Sequence, residues 1–420
     1  MENYQLSTLA NGVQVVSESI EHVKSVSLGI WVRVGSRYEN EKNNGVTHFI
    51  EHMLFKGTEN RSAKEIAEEV DSMGGQLNAF TAKEYTCYYI RMIDENLAQG
   101  MDILADMLLK SKLDENDIDK ERSVIEEEIK MYADAPDELA NDLFNNLVWP
   151  DHPLGRPILG TEETLANIDR KVLVAYMKEM YTASNIVIAC AGKVEHEELV
   201  KLAEKYFGSL PKGERNQCLP APEFNFVQKW VNKETEQVQI CIGAKGVANN
   251  DSDEQYQMSV LNAYLGGGMS SRLVQKVREE MSMAYSIYSY HSAYSDVGLW
   301  GIAAATREEN CREMVKIILD ELHDVAQNGI SEAALKRVLG QFKGSIYLGN
   351  ESVSSRMNRL GRSLMYQKKV VMPEEVIARL EKVTSGEVKA LAAKLFTDNK
   401  MALLALGEVD EEPLAEFNCF

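Results

Sequence analysis

The chain of 420 residues is too long for one ordinary hydrophobic core, and its length predicts two or more domains. Hydrophobic residues make up 45% of the sequence and charged residues 26%, which is typical of a soluble globular protein, and no run of about 18 apolar residues exists to cross a membrane. The formal net charge of -20 argues against nucleic acid and anionic membranes as partners and would favour cationic substrates.

The N-terminal residues and the cysteines indicate a cytoplasmic protein. The first twenty residues lack the basic stretch and the apolar stretch of a secretion signal. The cysteines are far apart and form no Cys-x-x-Cys pair, so we expect reduced thiols rather than disulfides or a cysteine metal site at Cys87, Cys190, Cys218, Cys241, Cys311 and Cys419.

The first half of the chain predicts strands and helices in alternation. Residues 11–35 predict a pair of strands, with Asn11–Gly12 as a turn signal. Residues 62–73 predict a helix with Ser62 as its N-cap, and residues 76–92 predict one or two strands. Further along, the periodicity predicts helices over 97–109, 114–132, 172–180 and 196–206 and a strand over 186–191. Three prolines in LPKGERNQCLPAP, residues 210–222, indicate a linker.

One stretch near the N-terminus, THFIEHMLFKGT at 47–58, concentrates residues that can bind a metal. In a helix, His48 and His52 lie one turn apart on the same face, and two imidazoles so placed can hold one Zn²⁺. Glu51 lies beside them, where it could take a proton from a water on the metal. The pattern His-x-x-Glu-His is the inverse of the common zinc-hydrolase motif His-Glu-x-x-His. The alternative is an amphipathic core helix whose two histidines are satisfied by other hydrogen bonds.

The second half of the chain repeats the first. The strand SVSLGIWVRVG, which ends at Gly35, matches EQVQICIGAKG, which ends at Gly246, an offset of 211 residues. The same offset aligns TCYYI at 86–90 with VGLWG at 297–301. One offset that aligns several elements without gaps predicts a duplicated domain.

The repeat is not faithful at the metal-binding pattern. The same offset places His48, Glu51 and His52 over Ser259, Asn262 and Ala263. The second copy therefore keeps the scaffold and is predicted to have no metal site.

A catalytic zinc usually needs a third protein ligand in addition to two histidines. The helix predicted over 114–132 offers four glutamates in KERSVIEEEIKMY, namely Glu121, Glu126, Glu127 and Glu128. Residue type alone does not select one of them, and a solvated acidic face is the alternative interpretation of this helix.

Over its whole length the chain resembles the inverted-zincin metallopeptidases of the pitrilysin, insulin-degrading enzyme and mitochondrial processing peptidase family, most closely the short bacterial processing-protease-like members. Four motifs carry the resemblance: HFIEHMLFKGT at 48–58, GGQLNAFT at 74–81, ERSVIEEEI at 121–129 and REEMSMAY at 278–285. The resemblance implies one Zn²⁺ per chain, with the ligands His48, His52 and Glu128. It also implies that Glu51 is the catalytic base and that Glu121 orients the site from behind the ligands.

The resemblance also implies how a substrate binds. GGQLNAFT is similar to an exposed edge strand of the family, to which an extended peptide adds as another strand, with Asn78 and Ala79 at the matching positions. Without the resemblance, the alternative interpretation of this segment is a core strand after a Gly-Gly turn. Arg278 and Tyr285 match an Arg/Tyr pair that holds the scissile carbonyl and its oxyanion. Alone, an Arg and a Tyr at this spacing would indicate little.

The sequence thus predicts an α+β protein with two duplicated domains, each a mainly antiparallel sheet flanked by helices, that close as a clamshell over a chamber. The zinc-bearing catalytic domain is predicted over 1–210, a linker over 211–224, and the metal-free repeat with the Arg/Tyr pair over 225–420.

The expected function is that of a zinc-dependent endopeptidase that cleaves unfolded or extended peptides, with a preference for basic ones. A homodimer is expected by resemblance only. The alternative from another class is a non-catalytic peptide-binding or scaffold subunit of the same fold. A maturase that trims one small peptide would differ in its substrate and not in its chemistry.

Overall fold

The computed structural model of the chain describes residues 4–250, 252–367, 369–396 and 400–409. Within these ranges the strands are β1 (Gln5–Thr8), β2 (Gln14–Ser19), β3 (Ser25–Val32), β4 (Gln76–Thr81), β5 (Thr86–Ile93), β6 (Ile186–Gly192), β7 (Gln228–Asn232), β8 (Val238–Gly246), β9 (Ala284–Ala293), β10 (Gly298–Thr306) and β11 (Met401–Gly407). The helices are α1 (Val46–Leu54), α2 (Ala63–Ser72), α3 (Leu97–Lys110), α4 (Glu115–Asp134), α5 (Pro136–Val148), α6 (Glu162–Ala166), α7 (Arg170–Met180), α8 (His196–Phe207), α9 (Asp253–Gly266), α10 (Glu308–Asn328), α11 (Glu332–Gly349), α12 (Val353–Tyr366), α13 (Pro373–Leu380) and α14 (Ser385–Leu395). The segment Val274–Glu280 is π-helical.

The secondary structure predicted for the first half is confirmed. The stretch with the two histidines folds as α1, and residues 76–92 form the two strands β4 and β5. Ser62 caps α2 through a reciprocal pair of hydrogen bonds with Glu65, so the predicted N-cap is confirmed as well. Helices α5 and α6 were not predicted.

The described residues fold into two compact units, each built from several segments of the chain. Unit 1 consists of Met1–Lys130, Arg156–Leu219 and Tyr347–Val371, and unit 2 consists of Met131–Gly155, Pro220–Ile346 and Met372–Phe420. The predicted domains, 1–210 and 225–420, are continuous in sequence, whereas each of these units takes one segment from the other half of the chain. The boundary after Leu219 lies within the predicted linker.

Unit 1 contains a six-stranded sheet in the order β1-β2-β6-β3-β5-β4. Only β2 and β6 are parallel among its neighbouring strands in the described residues, and the other neighbours are antiparallel. Every residue of β6 is buried, as expected for a strand with a neighbour on each side and a covered face. Helix α12, which comes from the second half of the chain, packs on β6, β3 and β2.

Unit 2 contains a five-stranded sheet in the order β7-β11-β8-β10-β9, in which only β7 and β11 are parallel among the described strands. Helix α5, which comes from the first half of the chain, packs on β11 and β8. The order of these strands repeats that of β2-β6-β3-β5-β4 in unit 1. The predicted duplication and the mainly antiparallel sheets flanked by helices are therefore confirmed.

One predicted pairing is wrong. Strands β2 and β3 both exist, but they do not pair with each other, because β6 lies between them, parallel to β2 and antiparallel to β3. The Asn11–Gly12 turn instead joins β2 to β1. A short connection predicts a hairpin, whereas the apolar run of β6 is typical of a strand buried inside the sheet, and β6 lies between β2 and β3.

The structure also bears on membrane-spanning helices and on disulfide bonds. Across the described ranges, every helix is too short or too polar to span a lipid bilayer. No disulfide joins the cysteines that lie in these ranges, which are Cys87, Cys190, Cys218, Cys241 and Cys311. Cys419, which was also predicted to be a reduced thiol, lies outside the described residues.

Helix α12 approaches the sheet of unit 1 at a glycine. A Cβ atom added at Gly361 would lie 2.2 Å from the buried indole of Trp31 on β3. The indole N–H of Trp31 also points to the sulfur of Met357 on the same helix, at 3.3 Å. The close approach of α12 to β3 therefore depends on glycine, which has no side chain, at position 361.

We expect Gly361→Ala to lower the free energy of unfolding by about 1–3 kcal/mol, because the added methyl group forces the indole or the helix to move. The midpoint of urea unfolding measures the change. Gly344→Ala in α11 is the matched control, since an added Cβ there meets nothing within 4 Å and improves helix propensity. A Gly361→Ala protein as stable as the wild type would contradict the close contact.

Candidate active site

Helix α1 presents the side chains of the metal-binding pattern from one face. Its other residues, including Val46, Phe49 and Ile50, are buried in the core of unit 1, which fixes the rotation of the helix. The rings of His48 and His52 lie 4.6 Å apart between centroids. The face that leaves the core therefore holds both imidazoles side by side.

Helix α4 supplies the third group. The Oε2 atom of Glu128 lies 3.9 Å from Nε2 of His48 and 3.7 Å from Nε2 of His52. Candidate ligand atoms of these three residues all lie within 4.8 Å of one another, and no other such group of three occurs in the described part of the chain. Of the other glutamates weighed in the sequence, Glu127 is exposed and pairs with Lys130.

The donor set fits Zn²⁺. Two imidazole nitrogens and one carboxylate oxygen are the ligands of a catalytic zinc site, and ligand atoms of a tetrahedral site lie roughly 3.4 Å apart. The distances between Glu128 and the two histidines are slightly longer than this. Burial, and secondly the neighbouring His52, lower the pKa of His48 to about 3, so this ring is neutral near pH 7 and can act as a ligand.

Behind the ligands, Glu121 fixes the orientation of His52. Its Oε2 atom lies 3.1 Å from Nδ1 of His52, and its Oε1 atom lies 2.6 Å from Nζ of Lys56. Because a carboxylate accepts a hydrogen bond, Nδ1 of His52 carries the proton and the lone pair of Nε2 faces Glu128. Glu121 and Glu128 lie two turns apart on α4 and so face the same side. Lys56 is a member of this group that sequence reasoning missed, although it lies within the quoted motif.

Glu51 lies on the same face of α1, half-buried. The hydroxyl of Thr81, the last residue of β4, donates a hydrogen bond to Oε2 of Glu51. Burial raises the pKa of Glu51, and the hydrogen bond from Thr81 acts against that rise. Thr81 ends the motif GGQLNAFT, but nothing in that motif indicates that its hydroxyl reaches Glu51.

Strand β4 is the last strand of the sheet in unit 1 and pairs only with β5 among the described strands. Asn78 is exposed and Ala79 half-buried. The side-chain oxygen of Asn78 accepts a hydrogen bond from the backbone N–H of Ala79, at 2.8 Å. Among the described strands the segment is thus an edge strand, and its residues Leu77 and Ala79 pack against the core.

The predicted Arg/Tyr pair lies in unit 2. The guanidinium carbon of Arg278, in the π-helical segment, is 5.2 Å from the ring centroid of Tyr285 at the start of β9. Tyr285 is 82% exposed, and a nitrogen of Arg278 also lies 3.8 Å from the sulfur of Met269. The two side chains are therefore neighbours with access to solvent.

The positions in unit 2 that match the metal-binding pattern of α1 have other contacts. Asn262, over Glu51, accepts a hydrogen bond from the indole of Trp300 at 3.1 Å. Ser259, over His48, donates to the backbone oxygen of Gln255 at 2.8 Å. Asn262 thus joins α9 to strand β10, and Ser259 bonds within α9 itself.

Models of two protein families match most of the chain. The model for insulinase, peptidase family M16, matches residues 14–162, and the model for the peptidase M16 inactive domain matches residues 167–342. The first range contains the His48, His52 and Glu128 group and the second contains Arg278 and Tyr285.

Relatives and solved structures agree with these matches. An uncharacterized zinc protease of Bacillus subtilis, YmxG, is 43% identical over 95% of this chain and 97% of its own length. An uncharacterized zinc protease of Streptomyces coelicolor is 39% identical over 92% of this chain and 86% of its own. The fold is similar to a crystal structure described as a peptidase M16 inactive domain from Pseudomonas fluorescens (TM-score 0.90, 20% identity, 96% and 98% of the two chains). It is also similar to that of a protease from Helicobacter pylori (TM-score 0.89, 23% identity, 97% and 100%). The chain therefore belongs to the insulinase family, peptidase family M16.

Proposed function

We propose that this protein is a zinc-dependent endopeptidase that cleaves unfolded or extended peptides. The observation that carries the proposal is the convergence of His48, His52 and Glu128, with Glu51 on the same helix face. Names of relatives as zinc proteases support the metal and the reaction class. We further propose one Zn²⁺ per chain.

In the proposed peptide hydrolysis, the metal and the side chains have different roles. A Zn²⁺ held by the two histidines and Glu128 supplies Lewis acidity towards a peptide carbonyl and lowers the pKa of water to about 7. Glu51 takes the proton of the attacking water and later gives it to the leaving amine. Its raised pKa suits both roles, since a general base works best when its pKa approaches the working pH. Glu121 keeps His52 in the tautomer that binds metal.

The proposed substrate binds along β4. A strand at the edge of a sheet has unpaired backbone groups, to which an extended peptide can hydrogen-bond with little demand on its sequence. Asn78 and Ala79 would then contact the peptide backbone. For Arg278 and Tyr285 we propose the role that the resemblance implies, in which they donate hydrogen bonds to the oxyanion.

Several finer features stay proposals: a closed chamber around the substrate, a preference for basic peptides in line with the net charge of -20, a homodimer and a cytoplasmic location. The competing function, a non-catalytic peptide-binding subunit, is disfavoured by the intact ligand set and by Glu51.

We expect Glu128→Gln to lose zinc, because a neutral amide replaces an anionic ligand. Glu127→Gln is the matched control, since it removes an adjacent carboxylate that pairs with Lys130 on the exposed side of the same helix. Zinc per chain is measured by atomic absorption after gel filtration. Equal zinc in both variants would exclude Glu128 as a ligand.

We expect Glu51→Gln to keep its zinc while peptide cleavage falls roughly 10²- to 10⁴-fold, the usual contribution of a general base. Quenched, extended, basic peptides report the rate, and metal analysis reports the zinc. Wild-type protein that holds zinc and does not cut these peptides would favour the peptide-binding subunit instead.

We expect Thr81→Val to lower kcat about tenfold or more, because the carboxylate of Glu51 loses the hydrogen bond that holds it. Thr81→Ser keeps the hydroxyl and should restore most of the rate. Steady-state kinetics on the same peptides measure both variants. A Thr81→Val enzyme with the kcat of the wild type would show that Glu51 needs no such support.

A further inference from the structure

Helix α1 begins at a residue that cannot cap it. Gly45 occupies the N-cap position with φ 94, in the left-handed region. A Cβ atom added there would lie 2.6 Å from the backbone oxygen of Leu159, so the site also excludes a side chain by volume. An N-cap normally uses its own side chain to accept a hydrogen bond from the first helical N–H groups, and glycine has none.

A carboxylate from the preceding loop takes over this role. Glu39 is only 3% exposed. Its Oε2 atom accepts hydrogen bonds from the backbone N–H of Gly45, at 2.8 Å, and from the side-chain amide of Asn44, at 2.9 Å. Its Oε1 atom accepts from the backbone N–H of Thr47, at 2.9 Å. Both oxygens are therefore engaged at the start of the helix that carries the proposed site.

The loop with Glu39 is itself held in place by the turn between β4 and β5. The backbone N–H groups of Ser36 and Arg37 donate to the backbone oxygens of Ala82 and Lys83, at 3.2 and 2.7 Å. The buried guanidinium of Arg37 pairs with Glu84 at 2.7 Å. Glu39 therefore reaches α1 from a fixed frame and not from a free loop.

The second repeat has a different arrangement. By the repeat offset, the matching helix α9 begins about one turn earlier, at Asp253, and its N-cap residue, Ser252, makes no side-chain capping hydrogen bond. The metal-bearing copy thus has the shorter helix, which starts at a left-handed glycine and is capped from outside. Only this copy has to hold three functional side chains in a fixed rotation.

We infer that Glu39 is a positioning residue of the metal site: by capping α1 with both carboxylate oxygens, it fixes the start and the rotation of the helix that presents His48, Glu51 and His52. His48 and Glu51 lie within the first two turns after the cap, where fraying of the helix would displace them first. The inference rests on the proposed zinc site and adds to it a residue that contacts neither metal nor substrate.

The test measures the zinc dissociation constant by competition with a chromophoric chelator. Glu39→Gln keeps the size of the side chain but turns an NH₂ donor towards backbone N–H groups that are themselves donors. We expect it to bind zinc roughly 10- to 100-fold more weakly, the usual effect of losing a group that supports metal ligands. Amide hydrogen exchange of the metal-free protein should also become faster in α1 than in α2.

Ser62→Ala is the matched control, since it removes the cap of α2, a helix without site residues. It should leave the zinc dissociation constant unchanged while exchange in α2 becomes faster. Unchanged zinc binding in Glu39→Gln, or equal weakening in both variants, would overturn the inference while leaving the zinc site intact. Wild-type protein without zinc affinity would instead overturn the proposed function itself.

Discussion

The arrangement of the site depends on three side chains, His48, His52 and Glu128, whose possible ligand atoms are held close to one another from two helices. Two imidazole nitrogens and one carboxylate oxygen lie within 4.8 Å, on helices α1 and α4. His52 has no freedom to turn its Nδ1–H inward, because Glu121 holds that atom and Lys56 holds Glu121. The lone pair of Nε2 in His52 and the carboxylate of Glu128 repel each other unless a cation lies close to both. The packing of α1 and α4 in unit 1 keeps the side chains of His48, His52 and Glu128 together.

The turn between β4 and β5 links the site to the sheet edge. Thr81, directly before this turn, contacts Glu51 in α1. The backbone oxygens of Ala82 and Lys83, within it, fix the loop that carries Glu39 to the start of the same helix. Among the described strands, β4 is also the edge strand to which we propose that a peptide adds. One hairpin thus orients the proposed base, the cap of its helix and the proposed binding strand, so displacement of the hairpin would disturb all three.

Sequence reasoning succeeded where the physical cause is local or periodic. Helix α1 and the cap at Ser62 follow from spacing, and the duplication follows from the repeat, although the order of the strands was not predicted. The residues alone left four glutamates open, and only the resemblance selected Glu128. Long-range facts were missed: amphipathic periodicity shows that one face of α5 or α12 is buried, but not which sheet covers it. The sequence also does not predict the role of Glu39, because a loop glutamate that caps a helix has the same residue type as one that faces solvent.

A comparison of the two repeats shows which side chains of α1 the fold itself does not require. In unit 2, Asn262 and Ser259 occupy the positions of Glu51 and His48, and each makes a hydrogen bond that an ordinary core helix would make. The scaffold is therefore stable with these positions satisfied by neighbouring groups. In unit 1 the same positions hold a half-buried carboxylate with a raised pKa and a buried neutral imidazole, both of which oppose burial. Because the fold does not require these groups, their presence in one copy is accounted for by the zinc site and the general base that we propose there.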